Sequence, residues 1–582
     1  MNIHLPEVCG WARTQIVVPI VAAALVVGCS REPQALLEPL EGGGGITFRH
    51  QPGCLGNREL PETMGGGVAV FDFEGDGDLD VYAVQSGPMR TPAGDESRVG
   101  AGNELWANVS PAGAAAPRFE SVPDAGGAAD LGYGQGVAVA DANGDGHDDL
   151  YVLNWGPNAL YLQSVDPAGT ASFNRTSEAV FELDQWSVSA VFFDADLDGD
   201  LDLFEVNYLR CPPGSHAIPG LHVDAPGPFR SYPHPDLFRA QSDRLLLNDG
   251  TGRFRDGTEG SGIDGEPGKG LGAVATDADS DGLVDLYVTN DSTPNHFYRG
   301  LGDGRFERLG PTAGLAFNDD GLTEAGMGID TADVDSDLDF DLVCTNLDRE
   351  TNTLYLNQTE QGEQIHFRDQ TRRSGLAEPS RPMVGFGCLF SDFDLDGNPD
   401  LFVANGHVID NVSGFSDIRQ FAQPDQLFLG DGQGRFALAT AEQVPGLERP
   451  TVARGIALGD LNGDLAPDLV IGSCGVGEET GRALVIYLGR PDPKAVRVRL
   501  AGPLGNPRGL GATVIWETTS GLRRMARIES AKAYASASEA ALTLGLREQR
   551  LAAIEVSLPG RPAKRFEGAD VAGRDLLLDV RE

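Results

Sequence analysis

The sequence predicts an all-β protein: a seven-bladed β-propeller over residues 46–490, followed by a small C-terminal β domain over 491–582. Three observations carry this. One nine-residue acidic loop is written seven times, and each copy runs straight into an apolar strand. Most copies are followed by a hairpin with a Gly-rich turn. The charge balance changes sign near residue 490.

The clearest loop is Asp194-Ala-Asp196-Leu-Asp198-Gly199-Asp200-Leu-Asp202. Positions 1, 3, 5 and 9 offer hard carboxylate oxygens, position 6 the sharp glycine turn and position 7 a backbone carbonyl, which is the ligand chemistry of Ca²⁺. An EF-hand loop begins alike but is longer and lies between helices. Here Leu203-Phe204-Glu205-Val206-Asn207 opens a strand at once, so that reading is excluded.

The remaining ligand sets follow the same spacing. The first loop has Asp72, Glu74, Asp76 and Asp80, with Glu74 one methylene longer. The second has Asp141, Asn143, Asp145 and Asp149. The fourth has Asp277, Asp279, Asp281 and Asp285, and the sixth Asp392, Asp394, Asp396 and Asp400. The fifth has Asp333, Asp335, Asp337 and Asp341 but Leu338 at the glycine position. The seventh has Asp460, Asn462, Asp464 and Asp468, with Leu465 there. A side chain in left-handed backbone is costly, so the fifth and seventh loops are expected to turn differently or bind weakly. The third, fourth and sixth should hold metal most firmly. Turn preference explains Asp and Gly but not alternate carboxylates in register seven times. Up to seven Ca²⁺ ions are expected; Mg²⁺ fits crowded all-protein cages less well.

The flanks repeat too. Five residues before each loop stands Gly67, Gly136, Gly272, Gly328, Gly387 or Gly455, with Ser189 in the third copy. Five residues after the last ligand stands Asn154, Asn207, Asn290, Asn346 or Asn405. Hairpins such as Arg244-Leu-Leu-Leu-Asn248-Asp-Gly-Thr-Gly-Arg-Phe254 complete the unit. Strand, loop, strand, strand, turn, strand makes one four-stranded blade, and seven blades close a propeller. Closure is expected to pair Ile46-Thr-Phe48-Arg-His50 with Ala483-Leu-Val-Ile-Tyr487.

Residues 1–28 read as a signal peptide: Ile16–Val27 is apolar, too short to span a bilayer, and ends in Leu25-Val26-Val27-Gly28-Cys29. That ending resembles a bacterial lipobox, which implies lipidation at Cys29, export to the outer membrane or cell surface with the periplasmic face as an alternative, and a lipid-anchored linker over 29–45. With Cys29 lipidated, Cys54, Cys211, Cys344, Cys388 and Cys474 remain; one or two disulfides are possible, with Cys344 and Cys388 read as buried thiols. The insertion Leu209–Asp243, with His216, His222 and His234, reads as a surface loop.

Net charge is −43, too acidic for a general nucleic-acid binder. Residues 491–582 carry 15 Lys/Arg against 11 Asp/Glu, or +4, leaving −47 on the rest. Ala495-Val-Arg497-Val-Arg499-Leu500 alternates apolar with basic. Its basic face is read as solvated, with the acidic propeller, anionic glycans and lipid headgroups as alternatives.

At these loops the chain resembles the FG-GAP/VCBS repeat proteins, including the integrin α-chain head, a calcium-binding seven-bladed propeller. The tail motifs Gly505-Asn-Pro-Arg508-Gly-Leu-Gly511-Ala512-Thr-Val514, Arg523-Arg524, Leu544-Gly545-Leu546, Ile554-Glu-Val556 and Pro559-Gly560 resemble the ASPIC/UnbV domain. The pair, with Asn405-Gly406-His407-Val408, is similar to the cartilage acidic protein family. Mid-tail departs from the usual aromatic pattern at Ser530-Ala-Lys-Ala-Tyr534-Ala-Ser536. The resemblance implies extracellular calcium binding and adhesion or interaction roles.

The function expected is a non-enzymatic, calcium-stabilised binding or adhesion protein, its partner an unidentified protein or glycan and its membrane contact the lipid anchor alone. A polysaccharide hydrolase or lyase on the propeller is the alternative. The chain has no nucleophile elbow, P-loop, HExxH or CxxC motif, and no catalytic residue is assigned.

Overall fold

The computed structural model describes residues 35–581 apart from 55, 88, 91–100, 112, 216–230, 361–363, 415, 417, 476–482, 548 and 572–573. The signal segment, Cys29, His216 and His222 lie outside these residues.

The residue before each loop pairs with the loop's ninth residue: Phe71 with Asp80, Ala140 with Asp149, Phe193 with Asp202, Thr276 with Asp285, Ala332 with Asp341, Ser391 with Asp400 and Gly459 with Asp468. One antiparallel register is thus kept seven times. The third blade shows the pattern, with Gln185–Phe193, Asp202–Asn207, Arg244–Asn248 and Phe254–Asp256 lying side by side. The second and third blades join into one sheet where Gln185 and Trp186 pair with Gly156 and Trp155.

The innermost strands are Val68–Phe71, Gly134–Ala140, Gln185–Phe193, Gly270–Thr276, Ile329–Ala332, Gly385–Ser391 and Ala453–Gly459. Each touches the next, and the seventh returns to the first, closing the propeller. Apolar residues from adjacent blades interdigitate; Val191, Phe193, Phe204 and Leu245 pack on Ala273, Leu286, Val288 and Tyr298. The repeated glycines stand where inner strands meet. A Cβ on Gly328 would overlap the carbonyl of Phe386, and one on Gly387 the carbonyl of Arg454. The repeated asparagines tie the opposite ends: the backbone N–H of Asn207 donates to Asp243 (2.9 Å), and that of Asn405 to Asp425 (2.8 Å).

The closing strand differs from the expected one. Leu37–Pro39 pairs with Val485–Gly489, whereas 46–50 contributes only the isolated bridge Arg49–Ala483. Leu37 is fully buried among Leu389, Leu427, Leu469 and Tyr487. The glycines from Gly42, read as tether, take left-handed backbone in a tight turn behind that strand.

In the tail, Val496–Ala501 lies between Leu542–Leu544 and the parallel strand Asp575–Asp579. A second sheet orders Arg523–Arg527, Thr513–Thr518, Leu551–Ser557 and Lys564–Glu567. Among the described residues no disulfide forms; Cys54, Cys211, Cys344, Cys388 and Cys474 are thiols. Burial pushes the Cys344 and Cys388 thiols well up.

Candidate metal centres

Each loop is wound by its own carboxylates. Asp392 Oδ1 accepts from the backbone N–H of Asp396 (2.8 Å) and Oδ2 from Gly397 (2.8 Å). Asp141, Asp277, Asp333 and Asp460 accept from the same two positions. The sixth residue is left-handed in the loops with glycine there, as at Gly199 (φ 99) and Gly397 (φ 91). Leu338 and Leu465 take the same conformation, both at φ 71. The fifth and seventh loops therefore do not turn differently: the hydrogen bonds to Asp333 and Asp460 hold the leucines against a strain of about 1–2 kcal/mol.

The ninth residue has a role the spacing did not reveal. In all seven loops its Oδ2 accepts from the second loop residue and its Oδ1 from the third strand of the blade. For Asp285 these donors are Ala278 (2.9 Å) and Gly300 (2.8 Å); for Asp341, Val334 (3.0 Å) and Asn357 (2.8 Å). The same pair of bonds recurs at Asp80, Asp149, Asp202, Asp400 and Asp468. These buried carboxylates staple loop to blade. That Asp is invariant across the loops, but so are positions 1 and 5, so the sequence does not single it out.

Four loops bring three carboxylate oxygens within 4.8 Å of one another: Asp194, Asp196 and Asp202; Asp277, Asp279 and Asp285; Asp333, Asp335 and Asp341; Asp392, Asp394 and Asp400. The fifth loop joins the three expected to be firmest. Position 5 stands outside these groups; Asp281 is paired with Arg299 and Asp396 with Arg547. Among the described residues loops one, two and seven form no such carboxylate trio. Asn143 and Asn462 turn their amide nitrogens to Asp145 and Asp464 (3.0 Å each).

These donors fit a hard cation. Oδ1 of Asp194, Asp279 and Asp335 is buried without a hydrogen-bond partner. Burial, reinforced by neighbouring carboxylates, pushes Asp194 to about 7 and Asp392 to about 8. Burial likewise pushes Asp202 and Asp285 to about 8. Acceptor-only oxygens held together out of water want a multivalent cation.

The tail lies on this loop face. Arg508 grips Asp148 with two nitrogens at 3.2 Å; Arg524 reaches Asn398 (2.9 Å) and the Gly397 carbonyl (3.2 Å). Arg497, largely buried, faces Asp460 at 3.6 Å. The solvated reading of the basic face is corrected: strand 496–501 turns Arg497 onto the seventh loop, while Arg499 pairs with Asp575 inside the tail. Residues 530–538 then enter the propeller axis. Ser530 Oγ donates to the Val139 carbonyl (2.6 Å), Ser536 Oγ accepts from Val68 N–H (3.2 Å) and the Ala535 carbonyl from Val137 N–H (3.1 Å). Gly67 and Gly136 leave the space for Ala535.

The FG-GAP-like repeat model matches residues 141–205, 277–344 and 392–471, which contain the second to seventh loops in full. Over these stretches the chain carries FG-GAP-like repeats. Its homologues include cartilage acidic protein 1. The Xenopus tropicalis protein is 23% identical over 533 residues, spanning 86% of this chain and 71% of the relative. The human protein is 29% identical over 159 residues, spanning 27% of this chain and 20% of the relative. Among solved structures, an Agrocybe aegerita lectin specific for non-reducing terminal N-acetylglucosamine aligns over 70% of this chain and 88% of its own at 12% identity (TM-score 0.38). The rhamnogalacturonan lyase YesW aligns over 74% and 90% at 13% identity (TM-score 0.28). The FG-GAP repeats here carry their metal-type loops on the face that receives the tail.

Proposed function

We propose that this FG-GAP protein is an exported, calcium-stabilised, non-enzymatic binding protein at the bacterial surface, anchored through lipid at Cys29. The observation that carries the reading is the set of four carboxylate trios, each anchored on a buried ninth-position Asp, with orphaned oxygens in the third, fourth and fifth loops. Each trio joins two adjacent strands of one blade, so ion binding becomes folding free energy. With the loop face taken by the tail, an external protein or glycan would meet the opposite rim, where Leu131, Leu183, Leu322 and Ile418 are exposed on connections between strands.

The filled axis supports the non-enzymatic reading. Met64, Trp186, Tyr208, Phe386 and Tyr534 pack it. Arg454 spends its guanidinium on the carbonyls of Thr63, Gly406, Ala453 and His407 rather than facing an open site. The test is to dialyse the full chain against micromolar Ca²⁺ and count ions per chain by elemental analysis. Four or more supports the reading and none contradicts it. Radiolabelled palmitate incorporation that is lost in Cys29→Ala checks the anchor.

A further inference from the structure

The tail touches more than the rims of the acidic loops. It touches backbone and carboxylates that the wound loop alone presents. Gly545 N–H donates to Asp392 Oδ2 (3.1 Å), and a Cβ on Gly545 would overlap both that oxygen and the backbone of Leu395. Gly505 sits as closely on Gly199 and Asp200 of the third loop. Gly560 N–H donates to the Gly282 carbonyl of the fourth loop (3.0 Å). On the seventh, Asp460 N–H donates to Glu539 (3.3 Å). Four loops on separate blades are thus touched by the tail, and at the third and sixth the contact is through a glycine, Gly505 or Gly545, with no room for a side chain.

The tail enters the axis between Glu529 and Glu539. Leu458 N–H donates to Ser538 Oγ (3.0 Å), and Ala537 bridges in parallel to Ala69. Ala533 and Ala535 are left-handed, at φ 65 and 55, a conformation alanine holds only when surroundings impose it. The axial segment is therefore kept in place by docking and not by its own propensity.

We propose that ion occupancy of the acidic loops seats the C-terminal domain and its axial segment, and that seating in turn tightens the ions; the proposal rests on the calcium reading above. Without a cation the carboxylates of a loop repel one another, the wound backbone loosens, and the surfaces under Gly505, Gly545 and Gly560 are lost together. Linkage makes the coupling mutual: whatever factor calcium adds to docking, docking adds to calcium affinity. The tail is then the propeller's own ligand, released by calcium withdrawal.

The test uses the full chain and hydrogen exchange read by mass spectrometry, with bound calcium counted in the same samples. The peptide covering 530–538 should exchange at least tenfold faster in chelator than in millimolar Ca²⁺, while Thr513–Thr518 and Leu551–Ser557 stay protected in both. Gly545→Ala and Gly505→Ala, which remove no charge, should each weaken binding at one class of site by about tenfold. Equal exchange with and without ions, where the count shows ions gained and lost, would overturn the coupling and leave the calcium reading standing. Unchanged calcium affinity in both variants would overturn it as well. A sample that never binds calcium would overturn both readings.

Discussion

Tyr534, carried by the tail, stands edge-to-face on Phe386 of the sixth blade, ring centroids 5.2 Å apart and planes at 81°. The Arg454 guanidinium covers the same Phe386 ring at 3.8 Å. One buried aromatic pair thus joins the C-terminal domain to the propeller axis. Tyr534→Ala should cost about 3–5 kcal/mol in chemical denaturation, by the rule for emptying a buried aromatic site. Tyr534→Phe should cost under about 1 kcal/mol, because among the described residues the hydroxyl's hydrogen bond is the long one to the Met64 sulfur at 3.7 Å.

The ninth loop residue separates staple from ligand. Asp285→Asn would put an amide NH₂ against a backbone N–H that now donates to an oxygen. It should destabilise even the chelated protein by about 1–3 kcal/mol. Asp279→Asn gives up the ion pair with Arg299 (Nε to Oδ2 3.0 Å), so it should cost the chelated protein about 1 kcal/mol and, beyond that, cut the stabilisation that calcium adds. Paired denaturation curves with and without chelator check both.

Leu338 and Leu465 test the cost of the left-handed turn. Leu338→Gly relieves about 1–2 kcal/mol of native strain against a glycine chain-entropy cost of about 1 kcal/mol, so the variant should match or slightly exceed wild-type stability. Leu338→Val should be worse than wild type, because a β-branched residue at that φ is a true outlier. Urea midpoints decide the order.

Chelated protein should lose stability as pH rises. Burial lifts Asp194 to about 7 and Asp202 and Asp285 to about 8, from 3.8 for the ordinary carboxyl. The metal-free native state thus holds more protons than the unfolded state between about pH 4 and 8. Its stability is complete below about pH 4 and is lost as pH climbs through 8. With calcium the slope reverses, since protons compete with the ion for the same oxygens. Melting temperatures at pH 5 and 8.5, with and without chelator, should cross in this sense.

The repeat, its strands and the ligand spacing were legible because each is a local pattern: carboxylates at alternate positions, glycine at turns, apolar runs between. Leu338 misled because a propensity rule prices the residue alone, while the Asp333 hydrogen bond to its N–H holds the turn. Closure by Leu37–Pro39 is not legible in the sequence because a three-residue strand has no period to detect. Docking of the tail was invisible for a different reason. Gly505, Gly545 and Tyr534 look like turn and filler residues until loops hundreds of positions away come to rest on them. The glycines before each loop were visible as a repeat, but their purpose, close approach at the axis, belongs to the closed ring.

The most direct measurement is a thermal melt of the full chain with calcium and with excess chelator. Four carboxylate trios that bind ions only when folded should lower the melting temperature by ten degrees or more on chelation, at about 2.7 kcal/mol for each site filled at a hundred times its dissociation constant. An unchanged melting temperature would contradict the account.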